Sequence, residues 1–159
     1  MNPRSSSIQV WRATAADVPQ MAASRSADPS AGPADPRMAA YLEGRHHPQH
    51  ALAPRVAYLA TVGGAEVGYI AGHRTRRYGC DGEVQYLYVA PAHRRAGVAS
   101  MLLRQLAEWF EAQEAVRICV DVNDDSPGAR PFYASHGAQP LRPHWMVWPD
   151  ISTLVAGQR

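Results

Sequence analysis

The stretch from Glu83 to Leu103, EVQYLYVAPAHRRAGVASMLL, changes periodicity in its middle. Its first part, EVQYLYVA, is rich in β-branched and aromatic side chains and stops at Pro91, which predicts a strand. After Gly97 the apolar residues Val98, Met101, Leu102, Leu106, Trp109 and Phe110 recur at spacings of three and four, with Arg104, Glu108 and Glu111 on the wet side. That spacing is the pattern of an amphipathic helix. At a junction of this kind the free N–H groups of the first helical turn and the positive helix end converge on one spot, which binds anions. Gly97 and Ala99 lack bulk and let a phosphate approach the backbone, Arg94 and Arg95 add charge, and Ser100 offers a hydroxyl. By chemistry alone the segment predicts a phosphate or pyrophosphate ligand without saying which.

Upstream, residues 8–13 (IQVWRA) alternate as a strand, and Thr14 with Asp17 opens a helical run through Met21. Residues 24–36 (SRSADPSAGPADP) break both periodicities and read as a mobile flap, followed by a second short helix over 37–45. Two alternating runs, 55–62 and 66–73, are joined by Gly63 and Gly64, the signal of a β-hairpin, and the strand beginning at Glu83 continues the antiparallel set. Downstream come a buried strand over 116–122, a short helix over 127–136 that exits at Gly137, and a closing strand over 144–148. Trp145 and Trp148 on that last strand read as core residues sharing one face, in preference to lining the acceptor site.

With 159 residues, 46% hydrophobic and 19% charged, the chain has the material for one core, so a single domain over 1–159 is expected. A formal charge of +2 with no basic stripe argues against a nucleic-acid partner, and no window approaches the ~18 apolar residues of a membrane span. All sixteen basic side chains are Arg. Cys80 and Cys119 fall into no metal-ligand spacing, and His46, His47 and His50 sit in a Pro-broken segment without a fourth ligand, so no metal site is expected. The expected setting is cytoplasmic.

The run R-R-A-G-V-A from Arg94 to Ala99 resembles the pyrophosphate loop of the GNAT superfamily of acyl-CoA-dependent N-acyltransferases, with Arg94, Gly97 and Ala99 at the defining positions. Leu87, Tyr88 and Val89 resemble the family's bulged strand, and residues 123–138 (NDDSPGARPFYASHGA) its second block, an Asn after a strand and a Phe-Tyr on the next helix. The resemblance implies an α/β GNAT fold: a mixed, mostly antiparallel splayed sheet flanked by helices, open between the strand ending at Val89 and the strand ending at Val122. It implies acetyl-CoA as co-substrate, held by Leu87, Tyr88, Val89, Arg94, Arg95, Ala96, Gly97, Val98, Ala99, Ser100, Asn123 and Tyr133. A homodimer is the family's habit.

The activity so implied is transfer of an acetyl group from acetyl-CoA to a primary amine of a small molecule or protein, by direct attack on the thioester. Tyr133 matches the position of the acid that protonates the leaving thiolate, against the plainer reading of a core aromatic. Glu83, eleven residues before Arg94, stands at the spacing of the general base in protein-lysine members, against the plainer reading of a solvent-facing strand residue. Tyr86, Asp121 and His73 are further candidates for the acceptor pocket, their faces left open by alternation alone. Two rivals remain at this level: a non-catalytic acyl-CoA sensor, which needs neither Tyr133 nor Glu83, and a binding domain for an unrelated nucleotide, which leaves residues 123–137 without a purpose.

Overall fold

A computed structural model describes residues 7–122 and 128–156. The elements are β1 (Ile8–Ala13), α1 (Val18–Ser26), α2 (Met38–Leu42), β2 (Leu52–Val62), β3 (Ala65–Arg74), β4 (Gly82–Val89), α3 (Val98–Ala112), β5 (Ile118–Asp121), α4 (Ala129–Ser135), β6 (Gln139–Arg142), β7 (Trp145–Trp148) and α5 (Ser152–Ala156). Seven strands form one sheet in the order β1-β2-β3-β4-β5-β7-β6, antiparallel throughout except at β4 and β5. The architecture is the splayed α/β sheet expected from the sequence.

Local chemistry sets the boundaries. Thr14 caps the chain's turn into α1 through a reciprocal capping box with Asp17, and Gly63 and Gly64 make the β2–β3 turn with φ of 60° and 84°. β2 alternates between the two faces of the sheet: Val56, Tyr58 and Ala60 enter the core under α3, Ala57 and Leu59 the core under α1 and α2. α3 buries Val98, Leu102, Leu103, Leu106, Ala107, Trp109 and Phe110. Each large member of that set contributes about 1.5–3 kcal/mol by leaving water.

Several boundaries differ from the sequence reading. α1 runs on to Ser26, because Ser24, Arg25 and Ser26 complete a helical turn in what composition alone marks as loop. β6 was not anticipated: Gln139 to Arg142 contains Pro140 and little apolar alternation, and it pairs with β7 as the outermost strand, where a missing N–H is tolerated. Trp145 and Trp148 do not share a face. Three residues apart on a strand, they point oppositely: Trp145 packs with Val147, Cys80 and Cys119, whereas Trp148 joins Met146 in the α3 core. Both tryptophans are buried, as expected of core residues.

Two irregularities in the middle of the sheet position the site. The register of β4 on β5 contains only Gly82↔Ile118, Glu83↔Cys119 and Val84↔Val120, after which the strands part. On its other edge, β4 matches β3 at Gly72↔Val84 and then Ala71↔Tyr86, so Gln85 is an extra residue in β4. This bulge resets the alternation. Gly68, opposite Val89, is needed because a Cβ there would lie 2.6 Å from the Tyr88 carbonyl oxygen. Gly68→Ala should therefore destabilise the fold by about 1–3 kcal/mol, the usual cost of overpacking; the midpoint of urea unfolding followed by circular dichroism measures this.

Candidate active site

Where β4 and β5 part, a cleft of about 730 Å³ opens, lined by Leu87, Tyr88 and Val89 of β4, Arg94, Ala99, Phe132 and Tyr133, and by Arg25 and residues 30–32 from the α1–α2 segment. A second cleft of about 550 Å³ shares Val89, Arg94, Ala99 and Phe132 and extends to Arg95, Gly97, Ser100 and Pro131. Together they form a continuous groove from the tail of β4 to the N-terminus of α3. Most of the residues singled out in the sequence converge on it. Val98 turns its side chain into the core, so only its backbone faces the turn, and Ala96 is exposed beside it without lining either cleft. Asn123 lies outside the described residues.

The turn into α3 is built for an anion. Gly97 has φ of 89° and Arg95 φ of 66°, and among the described residues no side chain caps the helix. The first-turn N–H groups are thus left to whatever sits at the helix end. The two arginines have separate tasks. Arg94 donates from Nε to the Val89 carbonyl oxygen at 2.8 Å and from its terminal nitrogen to Asp28 Oδ2 at 3.2 Å, which fixes the turn to the end of β4. Arg95 is exposed and carries the uncommitted charge of the turn.

Asp28 organises this corner and was not found from the sequence. Its carboxylate accepts hydrogen bonds from the Ser30 backbone at 2.8 Å, the Ser30 hydroxyl at 2.7 Å, the Tyr88 hydroxyl at 2.8 Å and Arg94. The Ser30 hydroxyl, with burial opposing, holds the Asp28 carboxyl below its ordinary value. Burial, then Asp28 itself, pushes the Tyr88 phenol up to about 12. Tyr86, on the same face, donates to Asp35 at 2.8 Å. The segment read as a mobile flap is therefore tied to β4 at both of its ends. A D-P-S run looks like a turn in any sequence, and nothing local to it announces a partner sixty residues away.

Ser100 is also committed. Its Oγ lies 2.9 Å from His136 Nε2, and His136 Nδ1 lies 2.9 Å from the Phe132 carbonyl oxygen. That carbonyl only accepts, so Nδ1 carries the proton and, in the neutral ring, Nε2 accepts from Ser100. The hydroxyl is a strut between α3 and α4.

Tyr133 stands at the cleft wall with its ring edge-on to Phe132 and Trp148, at centroid distances of 5.3 and 5.6 Å. Burial raises its phenol above the ordinary value, so it remains a proton donor at neutral pH. Glu83 is not brought to the cleft wall, nor does it face solvent. It is fully buried on the α1–α2 side of β4, beside His73, and burial pushes its carboxyl up while His73 and Arg77 pull it back. Asp121 accepts from Gln49 at 3.0 Å at the end of β5. His46 and His47 serve the Arg55 guanidinium, through a carbonyl and a ring nitrogen respectively. Among the described residues no group of three or more His, Cys, Asp or Glu is placed to hold a metal ion, and no helix is long and apolar enough to cross a membrane.

Comparison with known proteins agrees with this geometry. A mycothiol acetyltransferase of Corynebacterium diphtheriae is 31% identical over 90 residues, covering 53% of this chain and 30% of that protein. An aminoglycoside N(6')-acetyltransferase type 1 of Acinetobacter haemolyticus is 34% identical over 71 residues, 45% of this chain and 47% of that one. The chain thus spans less than half the length of either relative in the matched region. Among solved structures, aminoglycoside N-acetyltransferase AAC(6')-Iy in complex with CoA superposes with a TM-score of 0.69 at 16% identity, over 89% of this chain and 94% of that one. The sequence signature described as the acetyltransferase (GNAT) family matches residues 20–138, from α1 through the whole cleft, and the chain belongs to that family.

Proposed function

We propose that this chain transfers an acetyl group from acetyl-CoA to a primary amine by direct attack, with Tyr133 as the acid and Glu83 as the base. The observation that carries the proposal is the groove itself: among the described residues, an uncapped helix end with Arg95 beside it, a strand tail with no neighbour on one edge, and a buried phenol, in that order along one cleft. These features fit a ligand with a pyrophosphate, an amide-bearing arm and a thioester. The names of the relatives, a mycothiol acetyltransferase and an aminoglycoside N(6')-acetyltransferase, support acetyl transfer and, through the second, an amine acceptor.

When bound, acetyl-CoA supplies the activated acyl group and a thiolate leaving group. The chain supplies the rest. First-turn amides of α3 and Arg95 hold the pyrophosphate, and the free edge of Leu87 to Val89 offers backbone groups to the amide arm. Glu83 takes a proton from the acceptor ammonium by relay through waters, since its carboxylate has no exposed surface and does not line the cleft. Tyr133, kept protonated by its burial, gives its proton to the departing sulfur and recovers one from the acylated nitrogen. The net change releases one proton.

Calorimetric titration with acetyl-CoA, CoA and ATP tests the cofactor. Saturable binding of both CoA species, inert ATP and at least a tenfold loss in Gly97→Glu and in Arg95→Glu are expected; absence of CoA binding by the wild-type chain overturns the proposal. Tyr133→Phe should keep acetyl-CoA affinity while thiol release with an amine panel slows on the order of a hundredfold. Asp28 separates a positional from an electrostatic role. Asp28→Asn, which keeps one of the two acceptor oxygens and removes a negative charge near the phosphate turn, should bind acetyl-CoA within about threefold of wild type. Asp28→Ala should bind about tenfold more weakly, or about 1.4 kcal/mol, and show faster hydrogen exchange over residues 27–36.

A further inference from the structure

Beneath α2, three side chains with no exposed surface stand in a row: Tyr41, His73 and Glu83. The Tyr41 hydroxyl lies 2.8 Å from His73 Nδ1, and His73 Nε2 lies 3.5 Å from Glu83 Oε1. Among the described residues, His73 Nε2 and both carboxylate oxygens of Glu83 have no hydrogen-bond partner within ordinary reach. Tyr41 is locked from every side: His73 and Tyr86 meet its ring edge-on at 5.7 and 5.3 Å, and the Arg55 guanidinium covers it at 4.9 Å.

One placement of the hydrogens serves both contacts. Burial raises the Tyr41 phenol well above its ordinary value, so the hydroxyl keeps its proton, and one arrangement has it donating to Nδ1. In the tautomer that this arrangement requires, the His73 proton sits on Nε2, the nitrogen that faces Glu83. Burial pushes the Glu83 carboxyl up, and a donor beside it favours the charged form. His73 is that donor, and a small closure of the 3.5 Å gap makes the hydrogen bond.

We infer that His73, oriented by Tyr41, is the positioning residue of Glu83: its Nε2–H holds one carboxylate oxygen and leaves the other to accept the acceptor's proton. The inference rests on the reading of Glu83 as the base. In the step concerned an N–H bond of the acceptor ammonium breaks, an O–H bond forms through the intervening waters on Glu83, and the neutral amine keeps the electron pair for attack. The other titratable or charged neighbours that act on Glu83 are Arg77, which favours the carboxylate, and Asp121, which opposes it. Cys119 stands beside Glu83 across the β4–β5 register.

The experiment is a pH titration of the Glu83 carboxyl carbon by NMR in the full chain labelled at glutamate, with Glu83→Gln identifying the resonance. His73→Leu, which removes the donor, should raise the Glu83 midpoint by about one pH unit. His73→Gln, whose amide keeps an N–H on the same side, should bring it back near wild type. Tyr41→Phe, a milder change that frees the tautomer, should give a smaller rise in the same direction. An unmoved midpoint in both His73→Leu and Tyr41→Phe, with only the melting temperature lowered, overturns the inference and leaves His73 a packing residue. Failure of the underlying reading looks different: Glu83→Gln would keep full acetyl transfer in the amine panel while the titration still responded to His73.

Discussion

The sheet stays closed only as far as Val84 and Val120, and the rest of the molecule is arranged around that parting. A strand tail in the middle of a sheet that loses one neighbour exposes backbone N–H and C=O groups where burial would otherwise be complete, and such groups must find partners. In this chain the partners are divided. The β3 edge keeps its ladder through Val89, Arg94 takes the Val89 carbonyl, and the opposite edge of residues 85–89 faces the cleft. The long helix α3 follows from the same constraint. Its seven buried side chains hold the α3 face of β2, β3 and β4 together although the sheet is no longer continuous beyond them.

The bulge at Gln85 gives the parting its second consequence. Strict alternation from Glu83 would set Glu83, Gln85 and Leu87 on one face. With Gln85 extra, Val84 and Leu87 pack toward α3, whereas Glu83, Tyr86 and Tyr88 turn toward α1 and α2. One strand therefore presents a buried carboxylate and two phenols to the same side. The phenols meet Asp35 and Asp28, and the carboxylate meets His73, so each polar group on that face has a defined neighbour.

How much of this was legible depended on range. The junction at Gly97 was readable because strand, turn and helix are local patterns within twenty residues, and the cleft wall from Leu87 to Ala99 followed from them. The hairpin at Gly63–Gly64 was readable for the same reason. The facing of Glu83 was not, because a bulge is set by pairing with β3 and leaves no mark in a single strand. Trp145 and Trp148 were assigned one face although their spacing of three forbids it; period two, applied strictly, would have separated them. Asp28 meets Tyr88 and Arg94 from 60 and 66 positions away, and Tyr41 meets His73 across 32, a range at which composition and periodicity carry no information.

The same separation explains how an acidic residue can sit beside an anion-binding turn. A lone carboxylate near the first turn of α3 would oppose a phosphate through the same field that the helix end supplies. Asp28 does not act as a lone charge: four donors converge on it, and its side chain is only 2% exposed against 47% for Arg94. The planar guanidinium suits this duty, because its Nε and a terminal nitrogen reach Val89 and Asp28 at once, which a single ammonium point charge does not do as well. The cost is that Arg94 arrives at the turn largely neutralised. The attraction felt by a phosphate then falls to Arg95 and the uncapped amides, so charge and position are supplied by different residues of one short motif.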